Sequence, residues 1–437
     1  MIVDAPALAT DGHNPRHAQI ASGRGTIMAR DGTPLAITRG TKRTYPLGPI
    51  VAHAVGYASG RYGTSGLEDS FDRVLTARAD STNVFAQVGE LFSGAHAKPR
   101  GSDVVTTLDV DIQKALAANL APYARAAAVV LDPRTGAVLA LASVPSFDPN
   151  SLERDFAKLS VDRTSPLLDR STSGLYPPGS TMKVVTAAEA LDAGVVTPQT
   201  TFVDTGGFAV GNFVVRNDEE ERTGTQTLTG AFALSSNVDF AQVGLKIGVD
   251  RWFDYAKRWG FGASLAFDIP AARDQIPQRA DVSDSVLAQL AFGQASLLMT
   301  PLRMGLVSAT IANDGVTPRP FLVRQIAGRD TSLATRPEQL AAPISAETAH
   351  AVRDMMIAVV KRGTGTAAAL SGVTVAGKTG TATNPHGRSH AWFVAFAPAE
   401  APRVAIAIVI ENVGYGGTYA APIAKHVLRV ALAKERS

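Results

Sequence analysis

The stretch YPPGSTMKVV, residues 176–185, fixes the point at which one helix of this chain can begin. Its two prolines lack a backbone donor and the glycine after them disfavours helix, so the incoming chain has to stop there. A helix that starts at or just before Ser180 places Lys183 on the same face, one turn later. The backbone N–H of Ser180 then lies near the positive end of the helix dipole. The segment therefore predicts a hydroxyl and an amine side by side at a helix start.

This Ser–Lys pair has two interpretations. A buried, neutral Lys183 could accept the hydroxyl proton and make Ser180 a nucleophile. Its pKa would have to fall from about 10.4 towards 7, and desolvation or a neighbouring cation would have to cause that shift. In the other interpretation Ser180 is a helix N-cap and Lys183 a surface residue. An isolated S-x-x-K pattern favours the second interpretation.

The composition indicates a globular protein of more than one domain. The chain has 437 residues, of which 45% are hydrophobic and 19% charged, and domains commonly have about 100–200 residues. Cysteine is absent, which excludes disulfides, zinc–thiolate sites and thiol catalysis. The net charge of +3 comes from interspersed acids and bases, so no nucleic-acid partner is predicted. No apolar run reaches the roughly 20 residues of a membrane-spanning helix, and the N-terminus does not resemble a signal peptide.

The character of the sequence changes near residue 100. The preceding residues are rich in Gly, Arg and turn signals, which predicts short strands and loops. Apolar residues at i, i+4 and i+8 from Ile112 then mark an amphipathic helix, and two apolar runs around residues 132–136 predict a β-hairpin. We therefore expect one domain over residues 1–102 and a second over residues 103–437.

The C-terminal part predicts the architecture of the second domain. Three apolar runs, VTVAGKTGTAT, HAWFVAFAP and RVAIAIVIEN, follow one another and precede a helix expected from about Ala421 to Lys434. Earlier in this domain, helical stretches alternate with strands. The pattern predicts an α/β (α+β layered) domain in which an antiparallel sheet packs against helices.

Two further motifs lie downstream of the Ser–Lys pair. Residues 235–237 (Ser-Ser-Asn) separate two helical apolar patterns, and residues 378–381 (Lys-Thr-Gly-Thr) end an apolar strand. An isolated S-x-N tripeptide is a common loop or N-cap sequence. An isolated lysine at a strand end is equally consistent with a solvated edge beside a turn glycine. Neither motif predicts a function when it is considered alone.

The three motifs in this order, S-x-x-K, S-x-N and K-T-G, are the signature of penicillin-binding proteins and class A β-lactamases. Over residues 103–432 the chain resembles the transpeptidase domain of class B penicillin-binding proteins, in LDPRTGAVLALASVPSFDPN, FGQASLLMTPLRM, IANDGV and KRGTGTAAA as well as in the motifs. RGTIMARDGTPLA and YGTSGLEDSF are similar to the small, β-rich N-terminal pedestal of that class. The resemblance is greatest to the short monofunctional enzymes of actinobacteria. It implies an antiparallel sheet between helices, preceded by a pedestal domain.

The resemblance also implies roles for the motif residues. Ser180 would attack the carbonyl of the penultimate D-Ala of a peptidoglycan stem peptide and expel the terminal D-Ala. Lys183 would be the base, although the acylation base of this superfamily is disputed. Ser235, bridging towards Lys183 and Lys378, would relay a proton to the leaving amine. Asn237 would hold the substrate backbone or orient Lys183.

The K-T-G segment would complete the site. The backbone N–H groups of Ser180 and Thr381 would form an oxyanion hole. Lys378, Thr379 and Thr381 would bind the terminal carboxylate, and Gly380 would let the strand approach the ligand. β-Lactams would acylate Ser180 covalently, and no cofactor is expected.

Other residues carry weaker expectations. Gly293 and Gln294 fit a family segment near the site, but a glycine for tight helix packing explains them equally well. Trp392 is expected to pack in the core rather than to stack on substrate. His386 and His390 do not predict a metal site, because neither a helix nor a carboxylate accompanies them; we expect them in an exposed turn.

The family also implies a partner and a location. A SEDS-type membrane glycosyltransferase is the expected partner, contacted through the pedestal and an N-terminal membrane anchor. Family members normally begin with one membrane-spanning helix, and this chain is expected to start just after it. The expected location is the extracytoplasmic face of the bacterial cell membrane.

Three alternatives stay open at this point. A β-lactamase would need a base for deacylation, and no E-x-x-L-N-type segment lies between the second and third motifs. A β-lactam sensor or silent scaffold fits poorly with three intact motifs and no spanning helix. A D,D-carboxypeptidase uses the same acyl-enzyme with water as acceptor, and sequence does not separate it from a transpeptidase.

Overall fold

The computed structural model describes residues 23–40, 42–76, 100–218, 221–328, 332–384 and 387–433. The chain forms two compact units, each built from three segments. The first comprises residues 1–110, 146–167 and 321–336, and the second comprises 111–145, 168–320 and 337–437. The sequence predicts a single boundary after residue 102. In the structure, two later segments, residues 146–167 and 321–336, also belong to the first unit. Strand pairing between segments so far apart leaves no local signal in a sequence.

The strands of the described residues are short in the first unit and longer in the second. In chain order they are β1 (Ile27–Met28), β2 (Pro34–Arg39), β3 (Lys42–Thr44), β4 (Ala58–Ser59), β5 (Gly63–Thr64), β6 (Asp103–Thr106), β7 (Ala126–Leu131), β8 (Val138–Val144), β9 (Thr201–Asp204), β10 (Phe208–Val210), β11 (Phe213–Val215), β12 (Gly224–Thr227), β13 (Thr317–Pro318), β14 (Val323–Ala327), β15 (Ser332–Ala334), β16 (Gln339–Ala341), β17 (Ala376–Ala382), β18 (His390–Ala397) and β19 (Val404–Ile410). The prediction of short strands before residue 100 is confirmed for the described residues.

The α-helices of the described ranges lie mostly in the second unit. In chain order they are α1 (Ala52–Val55), α2 (Gly66–Ser70), α3 (Asp72–Thr76), α4 (Val110–Leu120), α5 (Leu152–Val161), α6 (Arg170–Ser173), α7 (Lys183–Asp192), α8 (Leu228–Leu234), α9 (Asn237–Ile247), α10 (Val249–Arg258), α11 (Asp284–Leu290), α12 (Pro301–Ala312), α13 (Ala346–Arg362) and α14 (Gly416–Ala433). None of the helices in the described ranges has both the length and the apolar character needed to cross a membrane.

The first unit is built on a six-stranded sheet of order β15-β14-β6-β1-β2-β3. Strands β1 and β6 are parallel, and the other pairs are antiparallel. Beside the sheet lies a buried charge network centred on Glu68. Its carboxylate accepts hydrogen bonds from Nε of Arg24 and Nε of Arg43, both at 2.7 Å, and Arg24 also pairs with Asp72. Because Glu68, Arg24 and Arg43 are all buried, each charge depends on its partners for stability.

We expect Glu68→Gln to destabilise the first unit by about 3 kcal/mol or more, because it leaves two buried guanidinium groups without their shared carboxylate. Hydrogen exchange of the amides in residues 66–76, followed by mass spectrometry, measures the local opening free energy. Asp69→Asn, on the same short helix but exposed, is the matched control and should change that free energy by less than about 1 kcal/mol. Equal effects of the two substitutions would contradict a stabilising role for the network.

The second unit contains an antiparallel five-stranded sheet of order β17-β18-β19-β7-β8. The predicted hairpin around residues 132–136 is confirmed as β7 and β8. Alternate side chains of the sheet pack on α14 and α4, and those of the opposite face pack on α12. Strand β19 is apolar at every position because both faces of the sheet are covered. The predicted layered architecture, with the sheet between helices, is confirmed.

Two predicted boundaries in this unit are wrong. The C-terminal helix begins at Gly416 rather than near Ala421, and Pro422 lies inside it. A Cβ at Gly416 would lie 2.1 Å from the carbonyl oxygen of Trp392, so the helix start is pressed against the sheet. Strand β17 begins at Ala376, so Lys378 and Gly380 lie within the strand rather than at its end.

Candidate active site

Ser180 lies in a single 3₁₀ turn, Gly179–Met182, which leads directly into α7. The predicted helix start is therefore confirmed, with a tighter first turn than an α-helix would have. Gly179 adopts a φ of +53°, a conformation that residues with a Cβ seldom adopt. Ser180 is 8% exposed, so its side chain is accessible only through the adjoining cleft.

Gly293 holds this turn in place from the opposite side. Its carbonyl oxygen accepts a hydrogen bond of 2.9 Å from the backbone N–H of Gly179. Its own φ is +78°, and a Cβ there would lie 2.1 Å from the carbonyl oxygen of Gly179. The glycine is thus required by a close backbone approach at the Ser180 turn, and Gln294 lines the cleft beside it.

The three motifs converge on the side chain of Ser235. Nζ of Lys378 donates to Oγ of Ser235 at 2.8 Å, and Nζ of Lys183 lies 3.3 Å from the same oxygen. Nζ of Lys183 also donates to the carbonyl oxygen of Ser235 at 2.5 Å and to Oδ1 of Asn237 at 2.8 Å. Two lysines from remote segments therefore share one serine, as the motif resemblance implied.

The backbone at Ser235 explains how one residue can meet both lysines. Ser235 has a left-handed conformation with φ +63° and ends α8, where its N–H donates to the carbonyl of Phe232 at 3.2 Å. Ser236 then caps α9, since its Oγ accepts from the N–H of Asp239 at 3.0 Å. A non-glycine residue in this conformation is strained. The reversal between two helices directs both oxygens of Ser235 towards the lysines.

Strand β17 brings the K-T-G segment against the Ser180 turn. A Cβ at Gly380 would lie 2.9 Å from Cγ2 of Thr181 and 2.8 Å from Cβ of Trp392. Only glycine therefore lets the strand and the turn meet. Oγ1 of Thr379 lies 2.5 Å from Oγ1 of Thr364, and Thr379 and Thr381 both line the cleft.

Both lysines are buried over aromatic rings. Nζ of Lys183 lies 5.5 Å from the ring centre of Phe240, and Nζ of Lys378 lies 5.6 Å from that of Phe232. Burial lowers the pKa of Lys183 to about 7. The pKa of Lys378 is also lowered well below its usual value, first by burial and then by the charge of Lys183. The desolvation required by the first interpretation of the Ser–Lys pair is therefore present.

Two acids oppose this shift. The exposed carboxylate of Asp218 raises the pKa of both lysines, and Asp239, inside the first turn of α9, raises that of Lys183. Burial in turn raises the pKa of Asp239 to about 6. The pKa of Lys183 is therefore set by burial, which lowers it, against two carboxylates, which raise it.

The cleft has two lobes. One has a volume of about 340 Å³ and includes Ser235, Thr379 and the acids Asp218 and Glu221. The other has a volume of about 280 Å³, and it is lined by Ser180, Phe213, Val215, Arg216, Asp218, Asn237, Gln289, Phe292, Gln294, Thr381 and Thr383. Asp218 and Thr381 belong to both lobes. The lobes therefore meet beside Thr381, the last residue of the third motif segment, and Asp218.

The sequence missed several residues of this site. Nothing in the motifs pointed to Asp218, and the aromatic floor of Phe232 and Phe240 gives only a weak signal, a phenylalanine three residues on either side of the second motif. The expectation of an exposed turn is wrong for His390, which is buried in β18 and packs edge-on against Tyr176. His386 lies outside the described residues. The prediction that Trp392 packs in the core is confirmed.

Comparisons with known proteins bear on both units. Residues 126–429 match the family described as the penicillin-binding protein transpeptidase domain. Residues 24–104 match the dimerisation domain of penicillin-binding protein A. The chain is 36% identical over 421 residues to the peptidoglycan D,D-transpeptidase PbpA of Mycolicibacterium smegmatis, covering 89% of this chain and 84% of that protein.

Solved structures show the same likeness. A D,D-transpeptidase domain of a peptidoglycan glycosyltransferase from Eggerthella lenta is 36% identical, with a TM-score of 0.85, and the match covers 95% of this chain and 99% of that one. The penicillin G acyl-enzyme complex of penicillin-binding protein A from M. tuberculosis is 32% identical, with a TM-score of 0.85. That match covers 94% of this chain and 100% of that one.

Proposed function

This chain belongs to the class B penicillin-binding proteins, and from that membership and the geometry of its site we propose that it is a peptidoglycan D,D-transpeptidase. It cross-links stem peptides through an acyl-enzyme on Ser180, and β-lactams acylate the same serine. One observation carries the assignment of residues. The amines of Lys183 and Lys378 are both buried beside the hydroxyl of Ser235, and Lys183 directly follows the turn that holds Ser180.

In the proposed acylation, Oγ of Ser180 attacks the carbonyl carbon of the penultimate D-Ala. A neutral amine at Lys183 has two N–H donors and one lone pair. Its two shorter contacts, to the carbonyl oxygen of Ser235 and to Oδ1 of Asn237, use the donors. The lone pair then accepts the proton of Ser180, and the pKa of about 7 makes this neutral form available.

The proton reaches the leaving group through Ser235. Its hydroxyl gives a proton to the amine of the departing D-Ala and regains one from Lys183, which returns to the neutral form. Lys378 stays hydrogen-bonded to the same oxygen at 2.8 Å and keeps it in place. One proton has then moved from Ser180 to the amine, and the C–N bond has been replaced by an ester.

The negative charge that develops on the carbonyl oxygen needs donors. The N–H groups of Ser180 and Thr381 are the proposed donors, and the close approach of strand β17 to the turn supports this pairing. One such donor is typically worth about 10²–10³ in rate. Thr379, Thr381 and Lys378 are proposed to bind the terminal carboxylate of the substrate. Attack by the amine of a second stem peptide then reverses these steps and forms the cross-link.

Two separate assays test this function, one with benzylpenicillin and one with a substrate. Intact-protein mass spectrometry should show a persistent adduct of one whole penicillin. Loss of the drug without an adduct would mean a β-lactamase. If the drug were not consumed and no adduct formed, that result would contradict an acylating site. A thioester donor supplied together with a D-amino acid acceptor should give the aminolysis product. Hydrolysis alone would mean a carboxypeptidase.

A second part of the proposal concerns partner and location, and its support is the family resemblance alone. We propose that the chain acts at the extracytoplasmic face of the cell membrane together with a SEDS-type membrane glycosyltransferase. Co-purification of the two proteins from a membrane fraction tests this. Recovery of the chain without such a partner, under conditions that preserve membrane complexes, would contradict it.

The charge on Asp218 predicts a change in pH dependence. Because this carboxylate raises the pKa of Lys183, Asp218→Asn lowers that pKa further. The acid limb of the acylation rate should then move to lower pH, on the order of a few tenths of a unit for an exposed charge. Acylation by a chromogenic cephalosporin from pH 5 to 9 measures it, with Glu221→Gln as the matched control on the same rim. A limb that does not move, or that moves equally in both variants, would contradict the prediction.

A further inference from the structure

We propose that Trp392 is a positioning residue for acylation, joining the Ser180 turn to strand β17 and thereby setting the spacing of the two oxyanion donors. The inference rests on the proposed function, because it concerns the same acyl transfer. The proposed mechanism gives Trp392 no role of its own. Packing in the core is enough to explain why the side chain is buried. What the core does not explain is where its indole N–H points.

The indole reaches from the sheet to the turn. Trp392 lies on β18 directly opposite Gly380 of β17 and is fully buried. Its Nε1 donates to the carbonyl oxygen of Pro177 at 3.0 Å. Pro177 is three residues before Ser180, in the segment that both prolines keep from forming helix. One side chain therefore connects the strand pair that contains the K-T-G segment with the entry to the nucleophile turn.

The two segments have no room to shift independently. A Cβ at Gly380 would lie 3.1 Å from the carbonyl oxygen of Pro178, and a Cβ at Gly179 would lie 2.9 Å from that of Thr381. The proposed donors, the N–H groups of Ser180 and Thr381, lie one on each segment. Their separation is thus set by the packing and by the indole bond that ties the segments together.

A second layer braces the indole. The ring of Tyr176 packs edge-on against Trp392, with centroids 6.1 Å apart, and its hydroxyl donates to Oε1 of Glu411 at 2.9 Å. Nε of Arg170 donates to the same carboxylate oxygen at 3.2 Å. The backbone of Tyr176 is held on both sides by Met299, through bonds of 3.0 and 2.8 Å. Tyr176 therefore fixes the indole plane and the start of the proline segment together.

Removing the indole N–H should weaken the polarisation of the bound carbonyl group, although both oxyanion donors, the N–H groups of Ser180 and Thr381, are kept. We expect Trp392→Phe to slow acylation by benzylpenicillin about tenfold, less than the loss of a whole oxyanion donor. The non-covalent affinity that precedes acylation should stay unchanged. A loosened oxyanion hole also has a direct signature, because weaker hydrogen bonds to an ester carbonyl raise its infrared stretching frequency.

The experiment measures that frequency in the acyl-enzyme formed with carbonyl-labelled benzylpenicillin. Trp252→Phe is the matched control, since Trp252 is equally buried and its Nε1 has no hydrogen-bond partner in the described part of the chain. The control should lower the melting temperature but leave the frequency and the acylation rate unchanged. Trp392→Phe should raise the frequency. An unchanged frequency in that variant, or an equal rise in the control, overturns the inference.

Failure of the variant to fold and failure of the proposed function can each be distinguished from failure of this inference. If Trp392→Phe does not fold, Tyr176→Phe replaces it, because it removes only the hydroxyl that braces the ring. It should raise the frequency in the same direction by a smaller amount, and no rise would overturn the inference. Absence of an acyl-enzyme in the unmodified protein would instead overturn the proposed function.

Discussion

Replacing Ser180 by alanine is expected to abolish the covalent penicillin adduct completely, because no acyl bond can form without its oxygen. The fold should be retained, since the substitution removes one atom from a turn that Gly179 and Gly293 hold through backbone contacts. We expect a change in the free energy of unfolding below about 1 kcal/mol. Intact-protein mass spectrometry after a long incubation with benzylpenicillin measures the adduct, and the melting temperature measures the fold.

The matched control is Ser173→Ala, in a short helix that precedes the proline segment. Oγ of Ser173 makes only long contacts among the described residues, 3.4 Å to Oγ1 of Thr172 and 3.5 Å to the carbonyl oxygen of Pro270, so the adduct should form at the rate of the unmodified protein. A full adduct on Ser180→Ala would contradict the assignment. Peptide mapping would then show whether Ser235, the other serine beside the lysines, is the nucleophile.

The parts of the site that the sequence predicted are those encoded by local chemistry. The prolines and the glycine before Ser180 stop one element and start another, which is a property of residues 177–180 alone. The apolar runs after residue 370 predict buried strands for the same reason. The convergence of Lys183, Ser235 and Lys378 is different, because no spacing rule brings positions 183, 235 and 378 together. It was available only through the resemblance of three motifs in a fixed order.

The features that the sequence did not predict depend on contacts between distant segments. The pKa of Lys183 depends on its burial, over the ring of Phe240. The indole of Trp392 donates to Pro177, which lies 215 residues earlier in the chain. The later segments of the first unit were not predicted for the same reason, since β14 joins its sheet from more than 200 residues downstream of β6. His390 was assigned to an exposed turn although it begins the apolar run HAWFVAFAP; its burial involves Tyr176, which lies in a remote segment of the chain.

Replacing Lys183 by methionine is expected to slow acylation by up to about 10⁴-fold, the upper range for loss of a general base. Methionine keeps an unbranched stem in the buried space but has no amine. In the unmodified protein the rate should rise with pH through about 7, because the amine must lose its proton before it can accept that of Ser180. The residual rate of the variant should lack this limb. Stopped-flow acylation by a chromogenic cephalosporin from pH 5 to 9 measures both effects.

Lys183→Arg separates a base from a positive charge. A guanidinium keeps the charge and the donors to Ser235 and Asn237 but is not deprotonated in proteins, so this variant should be as slow as the methionine variant. If it instead retained most of the rate, Lys183 would act by its charge, and Lys378 would be the remaining candidate for the base. Lys246→Met, an exposed lysine on α9, is the matched control and should leave the rate and its pH limb unchanged. The Ser–Lys pair acts as proposed only if the methionine and arginine variants are both slow. Proton transfer is the one property of Lys183 that both substitutions remove.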